Sequence, residues 1–482
     1  MTDLKTEREV QAQWSLKPPY REMQVFDRLV ENEFRDEGAQ RRHEAQALQW
    51  ILRYAVARVP YYRALFAELR LRPEDVRGLS DLTKLPLLSK LTVNEENERL
   101  RSETLPQGEK IYGVVSSSGT TGRPARVVQT QRNNAMFSFL GQRHVRWARW
   151  DPMATVAEIR LPVQMPRDAE GRMLELGETR RQDTWRYLGR FFETGPSLGY
   201  SVFNPVDAQL AWLGREQPDY LSGYSETLEQ IAFACGESPP PVTLRGLRAI
   251  SEQLTDAMRR RVTTAFKAPV TQNYGLNEIG IVASGCEAGR YHVNTEHCLV
   301  EIVDLNGQPA QPGESGRIVV TGLSNLAMPL IRYDTDDMAR VEEGPCPCGR
   351  SLPSFGSIVG RYSRIAYLPE GTLGYVGALR QALEDMPQQL ARSVRQFQVH
   401  QFRDGRFEMR LCTVAPLPPA FRERIMAAWA AAAGNAGLSL DLMEVDQIER
   451  PPSGKYQDFT SDFMPSMGSD ALPDPTLNSL PE

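Results

Sequence analysis

Between two short apolar runs, Ile111 to Val115 and Val127 to Thr130, lies the tract Ser116-Ser117-Ser118-Gly119-Thr120-Thr121-Gly122-Arg123-Pro124. Runs of this length bounded by turn residues read as buried strands, so the tract is a strand-to-strand loop and the chain carries a sheet. Glycine lets a backbone approach a phosphate closely, and successive N–H groups and hydroxyls supply donors to its oxygens. The usual NTPase loop, G-x-x-x-x-G-K-[ST], does not fit the tract. Ser/Gly tracts are more often flexible linkers, but a loop held between two apolar strands is a poor hinge.

A chain of 482 residues is too long for one ordinary core, so at least two domains are expected. Hydrophobic and charged contents of 41% and 24% are those of a soluble globular protein. A net charge of −5 gives no electrostatic reason to expect nucleic acid or an anionic membrane as partner. The densest basic run, MRRRV at 258–262, reads as a solvated helix face. No stretch approaches the roughly 20 apolar residues that span a bilayer, and the N-terminal MTDLKTEREVQAQW lacks the apolar core of a secretory signal. The expected location is the cytoplasm, where the six cysteines would be reduced thiols or metal ligands.

The fold class expected is α/β, a large multi-sheet N-terminal domain followed by a small α+β domain. Leu48, Ile51, Leu52, Ala55, Val56 and Val59 recur at helical spacing up to Pro60, and Asn133 to Trp150 also reads as helix. From about 240 to 340 short apolar runs alternate with helix-like pieces, and Asn306-Gly307 marks a hairpin turn. A second unit begins near Tyr362; there FQVHQF (397–402) and FEMRLCTV (407–414) flank Asp404-Gly405, followed by an Ala-rich helix and the strand LDLMEV (440–445). The boundaries are thus 1–361, 362–462 and a flexible, Pro/Ser/Asp-rich tail at 463–482.

The loop is similar to the phosphate-binding signature of the adenylate-forming superfamily, which includes acyl-CoA synthetases, nonribosomal peptide synthetase adenylation domains and luciferases. Two further segments match in order. Gln272-Asn273-Tyr274-Gly275-Leu276-Asn277-Glu278 resembles the family's Tyr-Gly-x-x-Glu, and Arg332-Tyr333-Asp334-Thr335-Asp336-Asp337 resembles its Tyr-x-Thr-x-Asp.

The resemblance implies an adenylation domain over 1–361, a mobile lid over 362–462, and a ligase that uses ATP and Mg²⁺ to turn a small carboxylic acid into an acyl-adenylate. Such a reaction needs developing negative charge neutralised while the reactants are held in line. Ser117, Ser118, Gly119, Thr120, Thr121 and Gly122 would wrap the phosphates, with Arg123 where relatives usually carry Lys. Tyr274 and Gly275 would lie at the adenine, Glu278 would hold Mg²⁺, Asp337 would accept from the ribose hydroxyls, and Arg361 would reach the ribose or α-phosphate. Near the C-terminus Pro451-Pro452-Ser453-Gly454-Lys455 resembles the segment of the family's catalytic lysine, so Lys455 would bring an ammonium between the carboxylate and the α-phosphate.

Cys286, His292, Cys346 and Cys348 offer three thiols and an imidazole, a donor set suited to structural tetrahedral Zn²⁺; His297 and Cys298 lie near enough in sequence to be rival ligands. Cys-Pro-Cys-Gly-Arg ahead of Gly360-Arg361, with Met328-Pro329-Leu330-Ile331-Arg332-Tyr333, resembles the phenylacetate–CoA ligase branch and its CapK-like subgroup. That branch makes an aryl acid and CoA the expected substrates.

Two places depart from the pattern. Tyr362-Ser363-Arg364 stands where relatives have an acidic hinge, so the acceptor stays open between CoA, a carrier-protein thiol, and an amine or inorganic nitrogen nucleophile. A nucleotide-binding homologue that has lost catalysis is a further alternative. The stretch from Asp151 to Gly199, where the acyl pocket is partly built, carries Arg160, Arg167, Arg172, Arg180, Arg181, Arg186 and Arg190. Most of these read as surface charges, and one or two as candidates for bidentate pairing with a substrate carboxylate. Whether the chain pairs as a homodimer is left open.

Overall fold

Helix α3 (Glu37–Arg58) begins where Asp36 accepts a hydrogen bond from the Ala39 N–H at 2.8 Å. It stops before Pro60, whose preset φ opens α4 (Pro60–Glu68) at its first position. The expected stripe Leu48, Ile51, Leu52 and Ala55 is fully buried, in one core with Tyr62, Phe66, Val282, Val320 and Tyr333. The computed structural model describes residues 3–18, 20, 25–116, 125–236, 238–304, 306–361, 366–368, 371–373, 379, 382–383, 386, 393–433, 438–448 and 459–462. The Ser/Thr/Gly tract at 117–124, expected to hold phosphate, Tyr362-Ser363-Arg364, expected at the hinge, Lys455 and residues 463–482 therefore lie outside the described residues.

The two apolar runs around the Ser/Thr/Gly tract form an antiparallel pair, β1 (Ile111–Ser116) and β2 (Arg126–Thr130). Directly after β2 comes α6 (Gln131–Trp147), capped by Thr130, whose hydroxyl accepts from the Asn133 N–H. The helix ends a turn before the expected Trp150 because Arg149 takes a left-handed φ of 55°.

A large sheet is built around parallel strands β3 (Val156–Arg160), β5 (Ser197–Ser201), β6 (Tyr220–Tyr224), β7 (Gly246–Ile250) and β8 (Val270–Leu276). It continues antiparallel through β9 (Gly280–Gly285), β10 (Tyr291–Val293) and β14 (Ser354–Phe355), with β4 (Arg180–Gln182) at the other edge. Helices α7 (Val206–Glu216), α8 (Ser225–Cys235) and α9 (Asp256–Phe266) connect the parallel strands. One face of the sheet packs into a core of Trp212, Leu213, Leu228, Ile231 and Phe266. On the other face α6 packs Phe139 and Leu140 into a core with Trp150, Trp185 and Tyr220.

The basic run in α9 is less solvated than its sequence implied. Arg259 donates to the Val270 carbonyl at 2.7 Å and Arg261 pairs with Glu229.

A second sheet is antiparallel, in the order β11 (Cys298–Val303), β12 (Ser315–Gly322), β13 (Tyr333–Arg340) and β15 (Ile358–Arg361). The turn expected at Asn306-Gly307 connects β11 and β12, and Gly307 takes φ 75°. Further along, β18 (Val394–Gln401) and β19 (Phe407–Thr413) form the expected hairpin, with Gly405 at φ 86°. β20 (Leu440–Val445) and β21 (Phe459–Ser461) flank it in parallel. A helix over Pro419–Ala433 covers this sheet with Phe421, Ile425 and Trp429, a core separate from those of the first two sheets.

Candidate active site and metal centre

The tight β8–β9 hairpin carries the Tyr-Gly-x-x-Glu segment. A Cβ on Gly275 would come within 2.8 Å of the Gly280 carbonyl oxygen, so the close approach there requires glycine. This places Glu278 in the three-residue turn Asn277 to Ile279. The hairpin docks on β13 through two crossed bonds. Tyr274 donates its hydroxyl to Asp337 Oδ2 at 2.9 Å, and Tyr333 donates its own to Glu278 Oε1 at 2.9 Å. Each segment's tyrosine thus binds the other segment's carboxylate. Thr335 Oγ1 lies 3.2 Å from the Tyr274 hydroxyl and accepts from the Asp337 N–H at 3.1 Å, which orients both.

The Tyr333 phenol is driven upward by burial and then by Glu278, so it stays protonated and remains a donor. Glu278 is 6% exposed and its Oε2 has no hydrogen-bond partner among the described residues. A carboxylate oxygen left open in this way is chemically suited to a hard cation such as Mg²⁺.

The turn bearing Glu278 is also tied to the strands around the phosphate loop. Asn277 Nδ2 donates to the Ser116 carbonyl at 2.9 Å, and Gln129 Nε2 donates to the Asn277 carbonyl at 2.8 Å. The last residue before the loop and the carboxylate that would meet its phosphates are therefore held one turn apart. Asp337 is the antiparallel register partner of Arg361, which brings these two backbones side by side. Tyr274, Gly275, Glu278, Asp337 and Arg361 thus share one corner between the two sheets. Thr120, the other residues from Ser117 to Gly122, and Lys455 lie outside the described residues.

Cys286 follows β9, His292 lies in β10, and Cys346 and Cys348 sit in a turn closed by the Gly349 N–H bonding to the Cys346 carbonyl at 3.1 Å. Their donor atoms all fall within 4.8 Å of one another. Cys286 Sγ lies 3.7 Å from Cys346 Sγ, and Cys348 Sγ lies 3.3 Å from His292 Nε2. A tetrahedron with zinc–sulfur bonds of about 2.3 Å has edges of about 3.8 Å, so the spacing fits the ion. His292 Nδ1 lies 3.0 Å from the Leu352 carbonyl, which leaves Nε2 facing the thiols.

The Cys348 thiol is pulled well below its usual value, by its hydrogen bond with Cys286 and then, against burial, by His292. Cys286 is pushed up in turn by the same hydrogen bond, so Cys348 is the thiol with the thiolate character that binds a metal. The rival ligands are engaged elsewhere. His297 lies 3.0 Å from Ser324 Oγ and 2.9 Å from the Ile279 carbonyl, and the Cys298 thiol donates to the Val282 carbonyl at 3.5 Å.

Sequence reasoning did not find the buried ion network behind this centre. Glu33 accepts from Arg143 Nε at 3.0 Å and from Trp147 Nε1 at 2.9 Å, and it also pairs with Arg146. Glu7 pairs with Arg146 and accepts from Arg350 Nη2 at 2.9 Å. The N-terminal helices over Leu4–Gln11 and Val25–Asn32 are thereby pinned to α6 and to the residue two positions after Cys348. The only signal in the sequence was charged residues within apolar periodicity, which does not reveal a partner more than a hundred positions away.

The family profile described as "AMP-binding enzyme" matches residues 39–328, so the chain belongs to the AMP-binding enzyme family, and its relatives put it in the phenylacetate–coenzyme A ligase-like branch of the adenylate-forming superfamily. It is 28% identical to the phenylacetate-coenzyme A ligase of Thermus thermophilus over 79% of this chain and 82% of that one. To protein CapK of Staphylococcus aureus it is 22% identical, over 36% and 37% of the two chains. In fold it is similar to a 2-hydroxyisobutyryl-CoA ligase solved in the postadenylation state with its acyl-AMP. The TM-score is 0.69 at 17% identity, covering 89% of this chain and 91% of that one. Among the described residues, no helix is long and apolar enough to cross a membrane.

Proposed function

We propose that the protein activates a small carboxylic acid with ATP and Mg²⁺, forming an acyl-adenylate and pyrophosphate, and passes the acyl group to a thiol such as that of CoA. The observation that carries this reading is the crossed pair Tyr274–Asp337 and Tyr333–Glu278, with the turn tied to the flanks of the phosphate loop. In it Glu278 would hold Mg²⁺ at the phosphates, and the bound cation would supply charge neutralisation there as pyrophosphate leaves. Asp337 faces the ribose. Tyr274, already fixed by Asp337, offers a flat surface to the base.

The loop Ser117 to Gly122, with Thr120 and Thr121, wraps the phosphates. Lys455 comes from the small C-terminal unit, acting as a lid over 362–462, to stabilise the adenylation transition state. Cys286, His292, Cys346 and Cys348 would hold a structural Zn²⁺, since four protein ligands leave no open position for chemistry.

Pyrophosphate release over a panel of aryl and small aliphatic acids tests the reading, each acid with CoA, with an amine or nitrite, and with neither. Acid-dependent release that collapses in Lys455→Ala and Glu278→Gln is expected, with CoA speeding turnover. Acceleration by the nitrogen nucleophile instead would assign the second step to amide or N–N bond formation, the outcome suggested by the non-acidic hinge Tyr362-Ser363-Arg364. ATP binding without release for any acid would leave a nucleotide-binding protein.

A further inference from the structure

The carboxyl ends of parallel strands are where open α/β sheets bind ligands. Here that edge, on the face covered by α6, is charged. Arg160 is the last residue of β3 and Glu158 lies two before it on the same face; both are buried, 9% and 5% exposed. Arg248 of β7 reaches the same point, its Nη2 3.6 Å from Glu158 Oε1 and its Nε donating to Ser222 Oγ of β6 at 3.2 Å. Arg160 Nε donates to the same Glu158 oxygen at 3.2 Å. Arg186, from the segment between β4 and β5, enters alongside and donates to the Gln164 carbonyl and the Tyr187 hydroxyl.

Three guanidiniums against one carboxylate leave an excess of two positive charges. Among the described residues, Glu158 is the one carboxylate paired with any of the three. The remaining nitrogens of Arg160 and Arg248 make no hydrogen bond among the described residues. The Arg248 guanidinium is pushed down to about 10, by burial and then by the Arg160 charge, with Glu158 opposing. Burial pushes Glu158 up, yet Arg160, Arg186 and Arg248 together hold it below the usual carboxylate value. Arg186 and Arg248 are only partly buried, so the open guanidinium nitrogens can be reached from solvent. Like charges crowded there repel one another until an anion completes them, and planar guanidiniums suit a carboxylate through paired bonds.

The position fits an acid whose other end reacts. Arg248 is in register with Thr271, three residues before Tyr274 on the adjoining β8, on the order of 10 Å from the nucleotide corner.

We infer that Arg160, Arg186 and Arg248 form a subsite for a second carboxylate, so that the substrate class is a dicarboxylic acid with an aromatic ring or several carbons between its carboxyl groups. This rests on the acid-activating reading above and narrows its substrate. One carboxylate attacks the α-phosphate, and the other stays ionised against the three arginines. A plain aryl acid would leave those arginines unneutralised.

ATP–pyrophosphate exchange over matched acid pairs tests the inference: benzoate with terephthalate, phenylacetate with para-carboxyphenylacetate, hexanoate with hexanedioate. The diacid is expected to exceed its partner by about ten-fold or more in kcat/KM for at least one pair. That ratio should fall by about ten-fold in Arg248→Gln and in Arg186→Gln, the latter half-buried and so the safer for folding, with thermal melts confirming folded protein. Monoacids matching or beating diacids in every pair would overturn the subsite while leaving adenylation intact. A ratio unmoved by both folded variants would do the same. Exchange with no acid in either series would sink the adenylation reading and this inference with it.

Discussion

At Glu278 two demands meet on one side chain: Oε1 accepts from Tyr333, and Oε2 has no hydrogen-bond partner among the described residues. Glu278→Gln keeps an acceptor for Tyr333 and removes the charge. Acid-dependent pyrophosphate exchange should drop about 100-fold or more, as when a site loses a charge-stabilising group, with the melting temperature nearly unchanged. Loss of activity together with a collapsed melt would point to a packing role instead.

His144 makes a second residue-scale prediction. Burial, and then the Arg248 charge, push its imidazole down to about 3, and it sits neutral with Nε2 3.1 Å from Thr271 Oγ1. A folded value below the unfolded one means that the unfolded chain takes up the proton first. The neutral imidazole's stability is therefore complete above about pH 6.5 and drains away as pH falls towards 3. At pH 5 the loss should be roughly 2 kcal/mol relative to neutral pH. Urea melts of wild type and His144→Gln at both pH values check this: the variant should lose less on acidification, and parallel losses would refute it.

At the scale of elements, the β8–β9 hairpin and the Cys-rich turns are each held by contacts that propensity alone does not supply. In the hairpin, Gly275→Ala drives a methyl at the Gly280 carbonyl, 2.8 Å from the ideal Cβ. It should cost roughly 1–3 kcal/mol in urea melts, with adenylation falling too because the Glu278 turn must shift. At the other end of the same strand pair, Cys286, His292, Cys346 and Cys348 join β9, β10 and the 346–349 turn. Metal analysis of purified protein should give close to one zinc per chain. A strong chelator, or Cys348→Ser, should lower the melting temperature by several degrees, since metal that binds only the folded chain stabilises it. A metal-free protein with an unaltered melt would show that the four donors are merely packed thiols and a histidine.

Over the whole molecule, Glu33 is the point where the N-terminal helices meet α6 and the turn after the cysteines. Arg143, Arg146 and Trp147 all donate to its carboxylate, and Ser351 N donates to its backbone carbonyl at 2.8 Å. Removing one member of a buried pair strands the other's charge, so Glu33→Gln should destabilise by about 3–5 kcal/mol in denaturant melts. A loss under 1 kcal/mol would mean that the arginines re-pair with Glu7 and Glu296, both already in contact with them.

Local features determined a good deal of this architecture from sequence alone. The β1 and β2 runs, the stripe of α3, the Asp404-Gly405 hairpin and the order of the three family segments depend on neighbours in the chain, where hydrophobic period and turn chemistry act. The grouping of Cys286, His292, Cys346 and Cys348 was legible as well, because thiol and imidazole chemistry narrows their roles, although His297 and Cys298 had to be set aside by their hydrogen bonds. What only the tertiary structure decided was pairing at a distance: Tyr274 with Asp337, Tyr333 with Glu278, Glu33 with two arginines. Of the seven arginines between Asp151 and Gly199, it also picked out Arg160 and Arg186 to stand beside Arg248, and left Arg167, Arg172, Arg181 and Arg190 exposed. The reason is physical. A residue's type sets which bonds it can make, but the cost of burying its charge, and hence its role, depends on what the fold brings within a few ångströms of it.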